Sequence, residues 1–202
     1  MSDLIQLSTP VISGNEWKYI KDCLDTGWVS SVGSYVSRFE EIVMDYVGCK
    51  YGIAVVNGTA ALHLSLIACE VKSGDEVIVP SLTFVATANV VKYCGAEPVF
   101  VDCDDTFCMN VDLLESAITP KTKAIVPVHF TGYMTDMRKL LPIAEKHGLN
   151  VVEDACQSIL GAIDGKNAGT WSQAGAFSLH PLKNLNVWSD GGVIVTSDDE
   201  LA

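Results

Sequence analysis

The sequence predicts a three-layer αβα domain built on a mostly parallel central sheet. Two observations carry this. From Tyr51 to Asp154, short apolar runs alternate with amphipathic stretches of helical spacing, the pattern of parallel βα units whose helices cover both faces of a sheet. The composition of the 202 residues, 49% hydrophobic and 19% charged, suits a well-buried core, with one sizeable domain as the default.

The elements follow in chain order. After a short arm, Asn15 to Thr26 and Ser34 to Val47 show helical apolar spacing, the second with Tyr35, Phe39, Ile42, Val43 and Tyr46 on one face. YGIAVV then reads as a strand and TAALHLSLIA as its helix. DEVIVP is followed by TFVATANVVKYC, EPVFVD by VDLLESAI and KAIVPVH by DMRKLLPIAEKH, and LNVVED closes the series. Turn residues separate these units at Gly74-Asp75, Gly95, Pro120 and Gly148. Beyond Asp154 comes a Gly-rich stretch, then two strand-like runs, AGAFSLH and GGVIVTSD, joined by PLKNLNVWSD. The closing DDELA reads as the start of another helix, so a fragment is expected.

Charge narrows the partners. A formal net charge of −12 disfavours nucleic acid, which is bound through basic surface. A small-molecule site fits better, and an anionic ligand would need local donors such as helix N-termini to overcome the overall field. The opening MSDLIQLSTPVISG has neither a basic nor an apolar leader region, and no run approaches a membrane span, so the expectation is a cytoplasmic protein with no membrane partner. The cysteines, 7 in number, are scattered without a Cys-x-x-Cys, and no His pair stands at metal spacing; they read as reduced, mostly buried thiols rather than metal ligands.

In open α/β sheets ligands gather at the carboxyl ends of strands, and five such places carry polar residues. Asn57-Gly58-Thr59-Ala60 joins a strand to a helix, where free N–H groups and a hydroxyl suit a phosphate; an ordinary turn with Thr59 as N-cap is the alternative. No G-x-G-x-x-G is present, and GAIDGKN fails the Walker pattern. Phe84, after DEVIVP, could stack on a flat heteroaromatic ring or pack in the core. Asp154 ends a strand where a carboxylate is costly to bury alone, so it serves a ligand or caps a turn. A protonated pyridine nitrogen would be a good partner for it, and the Gln157 amide could bond a neighbouring ring substituent. Glu153 points to the other face and reads as structural.

Ser178 and His180 share a face by strand alternation, the first able to donate to a phosphate, the second a core histidine or a neighbour of the reacting groups. Lys183 is the only formally charged residue between Lys166 and Asp190. An amine in such poorly solvated surroundings, beside a cationic ring, is favoured in its neutral form and becomes a nucleophile; the alternative is a surface loop lysine.

Together VNGTAALHLSL, GDEVIVPSLTFVATANVVKYCGAEPVFVD, KAIVPVHFTGYMTDM, VVEDACQS and AFSLHPLKNLNVWSDGGVIVT resemble the DegT/DnrJ/EryC1/StrS family. These are pyridoxal 5'-phosphate (PLP) enzymes of the aspartate-aminotransferase fold, type I, acting mainly on nucleotide-linked keto-sugars. The resemblance covers essentially the whole chain. It implies that Lys183 holds the cofactor as a Schiff base, that Asp154 meets the pyridine nitrogen and that Gln157 lies near the phenolic oxygen. Thr59, the Ala60 backbone and Ser178 match phosphate-binding positions, and Phe84 matches the ring stack. Related sugar 3-dehydratases carry histidine in place of the lysine, so Lys183 points to an aminotransferase.

The implied reaction has two halves: L-glutamate delivers its amine to the cofactor, with Lys183 moving the proton, and a nucleotide-linked keto-sugar then takes it up. The resemblance also implies a homodimer with the site at the subunit interface. It further implies that residues 1–202 are the cofactor-binding large domain, without the C-terminal small domain. A sugar dehydratase or lyase, and a truncated module that binds cofactor without catalysis, stay open as alternatives.

Overall fold

The computed structural model describes Ile5 and residues 9–202, so the short arm before the first helix lies partly outside the described residues. Helices α1 (Glu16–Thr26) and α2 (Ser34–Val47) precede β1 (Tyr51–Val55), α3 (Gly58–Ala68), β2 (Glu76–Pro80), α4 (Ala86–Tyr93) and β3 (Glu97–Val101). A 3-10 helix, Val111–Ala117, leads to β4 (Thr122–Ile125), α5 (Met137–His147) and β5 (Asn150–Asp154). A small hairpin of β6 (Ala162–Ile163) and β7 (Lys166–Asn167) comes before β8 (Ala174–Ser178) and β9 (Gly192–Thr196).

The central sheet has 7 strands in the order β1-β9-β8-β5-β4-β2-β3. Strands β8, β5, β4, β2 and β3 run parallel, while β9 lies antiparallel between β1 and β8. Alternation along the strands builds two apolar faces. Val77, Val79, Ala124, Val126, Val152 and Ala176 pack with Ala61, Leu62 and Leu66 of α3 and Val90 and Val91 of α4. Their neighbours Ile78, Ile125 and Val151 turn the other way, onto Leu114 and onto Met137 and Leu140 of α5. Phe177, Val193 and Val195 extend that second face to Val43 and Val47 of α2. Helices therefore lie on both faces, giving the expected three layers.

The VDLLESAI stretch departs from the expected amphipathic helix. It winds as a 3-10 helix, which brings Val111 and Leu114, three residues apart, onto one buried side. The hairpin at residues 162–167 was passed over in the sequence, although its Asp164-Gly165 turn, with φ of 51° and 79°, is a strong two-residue hairpin signal. No helix among the described residues is long and apolar enough to cross a membrane.

Candidate functional site

The parallel strands deliver their carboxyl ends to one side of the sheet, and a cleft of about 630 Å³ opens there. That volume is in the range of small-molecule and cofactor pockets. Thr59, Phe84, Asp154, Gln157, Ser178 and Lys183 all line it, so the structure brings every expected site residue to the cleft except Ala60.

Ala60 is engaged elsewhere. Its backbone N–H donates to Asn57 Oδ1 at 2.8 Å, making Asn57 the N-cap of α3 in place of Thr59. The N–H groups of Gly58 and Thr59 and the Thr59 hydroxyl stay outside this cap, at the positive end of the helix, where an anion is stabilised. The Asn57 amide nitrogen donates to Asp190 Oδ2 at 3.1 Å, which fixes its oxygen toward Ala60.

The helix start is pressed against the end of β8. A methyl group built on Gly58 would lie 2.7 Å from Cys156 Sγ and 2.8 Å from Ser178 Cβ, so only glycine allows the approach. Gly192, paired with Ser178 on the neighbouring strand, does the same, since a methyl there would lie 2.4 Å from the Asn57 carbonyl carbon. Ser178 Oγ accepts the His180 N–H at 3.3 Å, leaving its own proton to donate beside the helix start. His180 is exposed, and its Nδ1 accepts the Leu182 N–H at 3.2 Å. This makes it a loop-ordering residue of the cleft rim, not a core histidine.

Asp154 is 5% exposed at the end of β5. Its Oδ2 accepts the Thr87 hydroxyl at 2.7 Å and its Oδ1 the Cys156 N–H at 3.2 Å. No Lys, Arg or His among the described residues forms an ion pair with it. A buried carboxylate with no cation of its own suits a cationic ligand. Burial pushes the Cys156 thiol well above its ordinary value, with the Asp154 charge adding to the effect, so it stands as a neutral group under the cleft.

Gln157 Oε1 accepts the Thr131 N–H at 3.2 Å, which orients the amide so that its nitrogen is the group left to donate. Phe84 is 67% exposed beside the cleft, which removes the core alternative. Lys183 is half-buried in the loop between β8 and β9, its backbone N–H bonded to His180 O at 2.8 Å. The cleft thus offers anion donors at one end, an unpaired carboxylate, an exposed aromatic and a primary amine. That set fits a flat, phosphorylated, cationic heteroaromatic ring.

Three features escaped the sequence reading. Asn57 reads in the sequence only as part of a turn, and the one signal for Thr87 is that it stands one helical turn after Thr83, ahead of a strand-end carboxylate. The third is the pairing at 2.9 Å of buried His129, in the loop after β4, with Glu153 of β5, 24 residues away.

Known proteins carry the same fold and much of the same sequence. The chain is 47% identical over 205 residues to the GDP-perosamine synthase of Caulobacter vibrioides, covering 100% of this chain and 55% of that protein. It is also 47% identical over 171 residues to the UDP-N-acetyl-3-dehydro-alpha-D-glucosamine 3-aminotransferase of Acidithiobacillus ferrooxidans, covering 84% of this chain and 46% of that protein. The crystal structure of NtdA from Bacillus subtilis with bound cofactor PMP superposes with a TM-score of 0.88 at 35% identity, over 98% of this chain and 47% of that one. The chain thus spans about half the length of the relatives it matches. The model of the DegT/DnrJ/EryC1/StrS aminotransferase family matches residues 10–202, and by this match and these likenesses the chain belongs to that family.

Proposed function

We propose that residues 1–202 form the PLP-binding large domain of an aminotransferase that moves an amino group from L-glutamate to a nucleotide-linked keto-sugar in deoxyamino-sugar biosynthesis. The observation that carries this reading is the convergence of Asp154 and Lys183 on one cleft whose far end is a helix N-terminus. The nucleotide-sugar substrate is supported by the names of the Caulobacter and Acidithiobacillus relatives, which differ in both nucleotide and sugar. A homodimer with the site at the subunit interface is supported by the apolar side chains exposed around the cleft, Phe84, Val85, Leu182 and Trp188 among them. A cytoplasmic setting is supported by cysteines that all stand unpaired.

Pyridoxal phosphate, when bound, supplies an aldehyde that condenses with amines and a ring that accepts electron density from the reacting carbon. The residues do the rest. Gly58, Thr59 and Ser178 bind the phosphate through N–H and hydroxyl donors. Asp154 keeps the ring nitrogen protonated through a charge-assisted bond. Phe84 covers a ring face, and Gln157 donates to the ring oxygen. Lys183 Nζ would hold the cofactor at rest and, when free, would carry a proton at the reacting centre.

The test is direct. Borohydride treatment of the PLP-loaded protein should fix the cofactor to the peptide containing Lys183, detected by mass spectrometry, and Lys183→Ala should abolish the adduct. Unchanged trapping in that variant refutes the lysine assignment. With a 4-keto nucleotide sugar and glutamate, release of 2-oxoglutarate with an aminated sugar supports transamination. Loss of water without use of glutamate points to a dehydratase instead.

A further inference from the structure

Thr87 lies in the first turn of α4, is fully buried, and is not among the residues lining the cleft. Its hydroxyl nevertheless reaches Asp154 Oδ2 at 2.7 Å, across 67 residues of sequence. On its other side Thr83 Oγ1 stands 2.8 Å away. An ionised carboxylate can only accept, so the single Thr87 proton is directed at Asp154. Thr83 must then be the donor to Thr87. The direction of the relay, Thr83 to Thr87 to Asp154, is fixed by this count of protons.

Two consequences follow from the geometry. The relay supplies the shorter of the two hydrogen bonds that Asp154 receives, the other being the 3.2 Å bond from the Cys156 N–H. It also ties the carboxylate to the segment carrying Phe84, which directly follows Thr83. Asp154 and Phe84, which would meet the ring edge and the ring face, are thereby held in one register.

We propose that Thr87 is a positioning residue that acts through Asp154, holding its carboxylate aimed into the cleft toward the bound ring nitrogen. This rests on the PLP reading of the cleft. Without the Thr87 hydroxyl the carboxylate loses its shorter hydrogen bond and its fixed aim, and its charge-assisted bond to the ring nitrogen would weaken.

The experiment uses pyridoxal phosphate labelled with nitrogen-15 in the ring, bound to wild-type protein and to Thr87→Val, Thr87→Ser and Thr83→Val. Thr87→Val keeps the shape and removes the hydroxyl. It should weaken cofactor binding by about ten- to a hundredfold, the range for a lost hydrogen bond to a charged group, and move the ring-nitrogen resonance toward the unprotonated position. Thr87→Ser should restore both readings, which a packing role for the methyl group would not predict. Thr83→Val removes only the outer donor and should shift the resonance in the same direction by less, a reading that stands even where Thr87→Val folds poorly. Wild-type resonance and affinity in Thr87→Val, or an unshifted resonance in Thr83→Val when Thr87→Val does not fold, overturns the proposal. Failure of the wild-type protein to bind pyridoxal phosphate overturns instead the functional reading beneath it.

Discussion

Glu153 and Asp154 leave β5 on opposite faces of the sheet, and their carboxylates are satisfied in different ways. Glu153 is fully buried and accepts from the N–H groups of Gly169, Trp171 and Ser172, from the Ser172 hydroxyl and from His129 Nε2. Because His129 Nδ1 accepts the Thr135 N–H at 3.3 Å, the ring proton sits on Nε2 and points at the glutamate. These donors clamp the loops on either side of β5 and leave Glu153 nothing to offer a ligand. An amide at this position would aim N–H groups at other donors. Glu153→Gln is therefore expected to cost about 1.5–3 kcal/mol of stability, the range for hydrogen bonds to a charged group. Urea unfolding without cofactor measures it, with Asp154→Asn as the comparison expected to cost less, since only two donors face that carboxylate. The side of the sheet that each acid occupies could be read from the alternation of β5. The partners of Glu153 could not, because they lie in loops 16 to 24 residues away whose paths nothing in their own sequence dictates.

At the scale of elements, the site depends on the end of β1, the start of α3, the end of β8 and the start of β9 meeting without side chains between them. Gly58 and Gly192 make that contact possible. Gly58→Ala would drive a methyl into Cys156 and Ser178, and the start of α3 would move off the end of β8. Phosphate and cofactor affinity should fall at least about tenfold, while α3 itself gains intrinsic helix propensity. Equilibrium dialysis with pyridoxal phosphate, set beside circular dichroism, separates the two effects; unchanged affinity would show that the α3 start is not the phosphate site. The alternation of apolar and amphipathic runs made the strands and most helices legible. It missed the 3-10 helix at 111–117, because spacings of three and four residues are hard to tell apart over two turns. The antiparallel placing of β9 also escaped, since its run GGVIVTSD reads alike in either direction.

At the scale of the molecule, the cleft is lined from residues 57 to 190, so a ligand there bridges segments from most of the sheet. Binding to the native state alone stabilises it by mass action. At a hundredfold excess over Kd the gain is about 2.7 kcal/mol. For a chain of this size it should raise Tm by roughly 5–10 °C, measurable by scanning calorimetry with and without pyridoxal phosphate. Lys183→Ala should lose most of that shift. A shift of similar size with pyridine or inorganic phosphate alone would contradict a ligand that bridges both ends of the cleft.

By itself the sequence determined the layered α/β architecture, through local hydrophobic period, and offered six candidate residues that line the cleft by residue type and place; their roles, and the weight of lysine at position 183, came from the resemblance to a known family. Only the tertiary structure decided which donors those residues meet. It gave Ala60 to Asn57, Thr87 to Asp154 and His129 to Glu153. The physical reason is that a hydrogen bond depends on positions within a few tenths of an ångström. Across distant segments, those positions are set by how the strands order and the loops pack, not by any residue's neighbours along the chain.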